Sequence, residues 1–285
     1  MRAEAGKPDT RIPRVLVALL AVLLAIQPLG AADLQSKTVE AFDHYVKLSE
    51  PQINASLNGD GDFLWFERLP ADRRAAAQAQ LQQAKVVIER LRPLVDGKPI
   101  PCPGGMIHHW IGTVFIPGAT LAQTLALVQD YDHQQEIYRP DVVRSKILRH
   151  QDGDYLVYLR FYKKKVVTSV VDTEHEIHYS IVDASHAWSR SHTTRIQQVD
   201  NAGDEHLRPE GHDDGFLWRM NTYWRFEQKD GGTYVECQTI SLTRDIPLGL
   251  GWLIGPYVNS VPRESLTFTL ATTRQAVLHR QAADQ

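Results

Sequence analysis

The chain has 285 residues, 43% of them hydrophobic and 23% charged, with a formal net charge of −3 at pH 7. This is ordinary globular composition, long enough for one large domain or for one domain with an extension. Nothing in the charge balance points to a nucleic-acid partner: the one basic block, Lys163-Lys164-Lys165, reads as a solvated strand edge or turn rather than a phosphate-neutralising patch.

The first 32 residues differ from the rest. Arg2, Lys7, Arg11 and Arg14 give a basic start, Val15 to Ile26 is an unbroken apolar run, and Gln27-Pro28 leads to the small residues Gly30-Ala31-Ala32. That order predicts a cleaved secretory signal peptide over 1–32 and a periplasmic or secreted mature protein. The apolar run is too short to span a bilayer as a helix, which weighs against the alternative of an uncleaved anchor. Cleavage after Ala32 removes four basic and two acidic residues and takes the formal charge from −3 to −5. In an oxidising compartment the two cysteines, Cys102 and Cys237, have one bridge open to them. The plainer expectation is a buried strand thiol at Cys237 and a loop thiol at Cys102.

Residues 33–98 read as a helical extension. Val39, Phe42, Tyr45 and Val46 recur at helical spacing over Thr38–Leu48, and a break is expected at Pro51 and Asn58-Gly59-Asp60-Gly61. A second helix is expected over Ala71–Leu91, rich in Ala, Gln and Arg. The Pro- and Gly-rich stretch Asp96 to Gly105 marks a boundary, with the main domain over 99–285. There His108–Ile116 reads as a strand, and Thr120 caps a helix to Val128. A further short helical segment runs to Tyr138. Strands follow at Val142–Arg149, Tyr155–Tyr162, Lys165–Val171, Glu174–Val182, Ser185–Val199, Gly215–Glu227 and Thr233–Arg244. Lys229-Asp230-Gly231-Gly232 is the clearest hairpin turn among their separators. A long helix from Gly255 to about Gln281 closes the chain, and Leu248-Gly249-Leu250-Gly251-Trp252 before it reads as either a mobile gate or a tight turn.

Strand, short helices, consecutive antiparallel strands and a long final helix argue an α+β, helix-grip fold: a curved antiparallel sheet wrapped around the C-terminal helix. In that order the sequence resembles the START/Bet v 1-like (SRPBCC) superfamily, which includes polyketide cyclases and lipid-transfer domains. The resemblance covers about residues 106–281. It is carried by the stretches Trp110 to Gly118, Asp130-Tyr131-Asp132-His133, Ile137 to Pro140, Trp218 to Phe226, Gly232 to Cys237 and Ser241 to Pro247. It implies a hydrophobic cavity between sheet and helix that takes a lipid or another apolar small molecule, with transient membrane contact and no cofactor. Residues 33–98 lie outside it.

No metal site is expected. Glu174, Glu176 and His178 share one strand face and His175 the other, and ligands strung along a strand spread too far for one zinc ion. His108 and His109 point to opposite faces. Asp130 and Asp132 are acid–base candidates near the cavity mouth, but capping explains them as well. There is no nucleophile elbow and no phosphate loop, so no catalytic residue is assigned.

The strands alternate between aromatic-rich and mixed faces. Phe216, Trp218, Met220, Thr222, Trp224 and Phe226 share a face expected beneath the final helix. The mixed faces, together with the final helix, supply the candidate ligand-binding residues Tyr158, Arg160, Arg219, Tyr223, Arg225, Glu236, Trp252 and Tyr257. If a mixed face lines the cavity, its charges meet each other or a ligand head group. If it faces water, they are surface ladders. A shift of one residue in register exchanges the two. The expected function is an exported binding or transfer protein for an apolar ligand. The alternatives are a cyclase- or aromatase-type enzyme and an envelope interaction protein that meets its partner through residues 33–98.

Overall fold

A computed structural model describes residues 32–55, 57, 62–92, 94–95, 97–165, 168–246 and 251–283, without the side chains of residues 32, 251–257 and 259. The expected signal peptide therefore lies outside the described residues up to its last position, Ala32, and so does the Asn58 to Gly61 break. Ala32 and Asp33 pair with His212 and Asp213 in a short two-stranded ribbon.

The main sheet has eight strands: β1 (Val87–Arg90), β2 (Gly105–Pro117), β3 (Val142–Gln151), β4 (Asp154–Lys164), β5 (Thr168–Ile181), β6 (His186–Val199), β7 (Arg219–Lys229) and β8 (Gly232–Arg244). Their spatial order is β1-β2-β8-β7-β6-β5-β4-β3, and every pairing is antiparallel. The helices are α1 (Ser36–Asn54), α2 (Ala71–Gln82), α3 (Leu121–Val128), α4 (Gln134–Ile137) and α5 (Gly251–Ala283). From β2 onward this is the helix-grip order expected from the sequence. The β7–β8 turn shows why: Asp230 and Gly231 both take positive φ, 55° and 74°, as a two-residue hairpin turn requires.

The inner face of the sheet packs on α5. Leu266, Leu270, Thr273 and Val277 form the buried stripe of that helix, at spacings that keep them on one side. Gly112 lets β2 come close, since a Cβ there would lie 2.8 Å from Leu270 Cδ1. Val114, Val235 and Phe226 are fully buried beneath the helix. Tyr138 meets Thr273 at 2.9 Å and Tyr131 meets Tyr179 at 2.7 Å, which ties the α3–α4 segment to the same core. Thr120 caps α3 through Gln123 in a reciprocal capping box.

The outer face is covered as well. Phe42, Tyr45, Val46 and Ile53 of α1 pack on Trp218, Tyr223, Ile240 and Leu242. Phe63, Leu64 and Phe66, with Ala77 and Leu81 of α2, pack on Phe115 and Tyr234. The protein is thus a three-layer structure, with the sheet between α5 and the N-terminal segment.

Three local expectations are corrected. α2 stops at Gln82 instead of Leu91: Ala84 turns left-handed at φ 63°, and Val86-Val87-Ile88, a β-branched run, adds β1 to the sheet edge. The segment 33–98 is therefore helical only in part, and it joins the main sheet at β1. α1 runs past Pro51 to Asn54, with Pro51 inside it. The separate strands expected at Lys165–Val171 and Glu174–Val182 are one strand, β5, whose register with β6 shifts at Glu174/His175.

Candidate functional site

Alternation on β7 and β8 sets the two faces. Trp224 pairs with Cys237, and both join the core beneath α5, so Met220, Thr222, Trp224 and Phe226 point inward. Tyr223, Arg225, Glu236 and Gln238 point outward. The aromatic-rich face of β7 is thus the inner one, as expected, except that Trp218 precedes the strand and joins the outer cluster.

The inner face divides along the strands. Towards Phe226, Val235 and Val114 it is sealed by α3 and the C-terminal half of α5. Towards Met220 it changes character: Trp110, Phe161, Met220 and Trp224 are only half-buried, and so is Phe268 of α5. Polar side chains stand among them. Thr193 Oγ1 accepts a hydrogen bond from Met220 N at 3.1 Å, His175 Nε2 meets Thr173 Oγ1 at 2.8 Å, and Ser241 lies opposite His108. Burial pushes His175 and His108 down to about 4, so both are neutral at pH 7. His108 Nε2 meets Thr243 Oγ1 at 3.1 Å. Its Nδ1, and the buried Nε1 of Trp110, have no hydrogen-bond partner among the described residues.

The mixed-face candidates are placed elsewhere. Tyr158, Arg160, Arg219, Tyr223, Arg225 and Glu236 all project from the outer face, away from α5. Arg160, 1% exposed, donates from Nε and Nη2 to Asp172 at 2.6 and 2.8 Å and from Nη1 to the carbonyls of Ala202 and Asp204. Tyr158 stands half-buried beside that pair. Arg219 donates to Trp218 O and lies 3.8 Å from Glu210. Tyr223 donates to Glu50 of α1 at 3.1 Å. Arg225 and Glu236 pair beneath α1, and Glu236 also accepts from Trp65 N at 2.7 Å and Thr113 Oγ1 at 3.3 Å. Alternation located these residues on a shared face. It could not reveal that the N-terminal segment covers that face, because nothing in one strand names the layer above it. Trp252 and Tyr257 lie in α5, and their side chains are outside the described residues, as are positions 248–250 of the expected gate.

The remaining candidates have structural partners. Asp130 accepts from His133 and Arg280 at 2.6 and 2.7 Å, which lowers its carboxyl pKa against the opposing effect of burial. Asp132 accepts from Ile147 N at 2.8 Å. Glu174, Glu176 and His178 are on the outer face, and no group of three or more potential metal ligands occurs among the described residues. Cys237 is buried in the inner core while Cys102 packs at the edge of the outer cluster, so the sheet separates the two free thiols. No described helix is long and apolar enough to cross a membrane.

No family model and no curated protein matches the chain. Among solved structures it is similar to a protein from Thermus thermophilus, at 15% identity and a TM-score of 0.44, covering 60% of this chain and 97% of that one. It is similar to a STAR-related lipid transfer protein fragment from Xanthomonas axonopodis, at 17% identity and a TM-score of 0.41, covering 67% and 98%. It is also similar to the Zhui aromatase/cyclase from a Streptomyces species, at 14% identity and a TM-score of 0.41, covering 61% and 96%.

Proposed function

We propose that the protein is an exported carrier that holds an apolar small molecule or lipid against the half-buried part of the inner face, between β2, β7 and α5. The observation that supports this is the state of Trp110, Phe161, Met220, Trp224 and Phe268. They sit on the inner face of the sheet, where the residues towards Phe226, Val235 and Val114 are fully buried, yet they remain partly accessible. Apolar surface left open in a concavity is unfavourable by about 25 cal/mol per Å² until something covers it. A bound hydrocarbon would cover it, with Thr222, Thr239 and Ser241 offering sparse polar contacts along one side. Export is the reading of the basic, apolar and small-residue order of residues 1–32. The test is native mass spectrometry, with organic extraction, of protein recovered from the compartment to which it is delivered. A mature chain beginning at Asp33 with one apolar molecule per copy supports both parts. An empty chain that binds none of a panel of acyl lipids, sterols and polycyclic aromatics removes the carrier reading.

A further inference from the structure

Among the described residues, two buried polar atoms of the inner face, His108 Nδ1 and Trp110 Nε1, have no hydrogen-bond partner, and they lie two residues apart on β2 at the end of the half-buried apolar region. Same-face neighbours on a strand are separated by about 6.6 Å. Both His108 and Trp110 point inward: Gly112, next on that face, meets Leu270 of α5, and Trp110 packs on the inner core. His108 is 1% exposed. A buried polar atom without a partner is costly, and native structures rarely keep one unless a water, ion or ligand completes it.

The hydrogen bonds around His108 fix what each atom offers. Thr243 Oγ1 donates to the carbonyl of Arg244 at 3.3 Å, so it accepts the Nε2–H of His108. A neutral imidazole with its proton on Nε2 presents Nδ1 as an acceptor. The indole Nε1 of Trp110 is a donor only. Arg90, 5.9 Å from the Trp110 ring centre, steadies the indole from the edge strand β1. One acceptor and one donor on neighbouring inward positions match a group that both donates and accepts.

We infer that His108 and Trp110 form the polar end of the ligand site and select an apolar ligand bearing a hydroxyl group, which donates to His108 Nδ1 and accepts from Trp110 Nε1. This rests on the carrier reading above and adds the chemical class of the ligand. An ether or ester oxygen satisfies the indole and leaves Nδ1 empty; a carboxylate is repelled by the Nδ1 lone pair.

The test is competition of 1-dodecanol and dodecyl methyl ether against N-phenyl-1-naphthylamine bound to the full chain, followed by the dye's fluorescence. The alcohol is expected to displace the dye at about tenfold lower concentration than the ether, the scale of one satisfied buried hydrogen bond. His108→Phe should bring the alcohol to the ether's value while leaving the ether unchanged, whereas Trp110→Phe removes the donor that both oxygens use and should weaken both compounds by a similar factor. Trp110→Phe keeps an aromatic ring in place and reads the loss of the indole's bond to both compounds if His108→Phe fails to fold. Equal displacement by the two compounds in the wild type, an alcohol preference that survives His108→Phe in folded protein, or binding of both compounds that Trp110→Phe leaves unchanged, overturns the inference and leaves the carrier standing. Failure of both compounds to displace the dye, or of the dye to bind, overturns the site together with its polar end.

Discussion

Arg225 donates from Nη1 to Glu236 Oε1 at 2.5 Å across the β7–β8 pair, with both residues at most 1% exposed. The guanidinium also donates to the Ile53 carbonyl at the end of α1, and the carboxylate accepts from Trp65 N of the following segment. One ion pair on the sheet thus holds two parts of the N-terminal layer. Burial pushes the Glu236 carboxyl up, and Arg225 opposes it. Removing one partner leaves a buried charge alone, so Glu236→Gln and Arg225→Met are each expected to destabilise by about 3–5 kcal/mol. The double replacement Arg225→Met with Glu236→Leu is expected to cost less than the two single changes together. Urea unfolding monitored by circular dichroism measures all three.

The N-terminal layer belongs to the folding unit. Phe42, 2% exposed, sits in the cluster formed by α1 and the outer face of β7 and β8. Phe42→Ala is expected to lower global stability by about 3–5 kcal/mol. It should do so within one transition seen equally by far-ultraviolet circular dichroism and by tryptophan fluorescence. Two separated transitions would show a layer that detaches on its own.

Acid should weaken the fold before carboxylates titrate. His108, His109 and His175 are held near 4 by burial, below the ordinary value of 6.5. A histidine with a depressed folded pKa binds its proton more readily when unfolded, so its stabilisation is complete above 6.5 and is lost as pH falls from 6.5 towards 4. The urea midpoint is expected to fall between pH 7 and pH 5. His175→Gln should shallow that dependence by about one proton's worth.

Core packing under α5 can be tested apart from the ligand. Gly112 faces Leu270, and an added Cβ meets Leu270 Cδ1 at 2.8 Å. Gly112→Ala is expected to destabilise by about 1–3 kcal/mol through overpacking. Leu270→Ala in the same chain should recover part of that loss, a coupling that a double-mutant cycle reads directly.

How far the sequence speaks depends on where each signal originates. The strands β2 to β8 and the long α5 were legible because period-2 alternation, turn residues such as Asp230-Gly231 and the apolar stripe of the helix are local. Strand β1 was missed because Gln and Ala upstream extend a helical pattern through Val86-Val87-Ile88, and its pairing with β2 decides otherwise. The site was half legible. The inward aromatic face of β7 followed from alternation alone. The roles of Arg160, Arg225 and Glu236 did not, since they depend on the 200–207 loop and on α1 closing over the outer face. His108 and Trp110 carried a signal in their shared strand parity, but an unpartnered atom becomes visible only when its neighbours are in place.

Whether the half-buried inner face holds an apolar ligand is read most plainly by native mass spectrometry of the wild type beside Met220→Trp. That substitution adds bulk to the half-buried inner face of β7 without touching the outer layer. One apolar molecule per wild-type chain and an empty, folded variant are expected. Equal occupancy of both proteins would contradict the placement of the ligand on this face, and a wild type that carries nothing and takes up no probe would overturn the carrier reading.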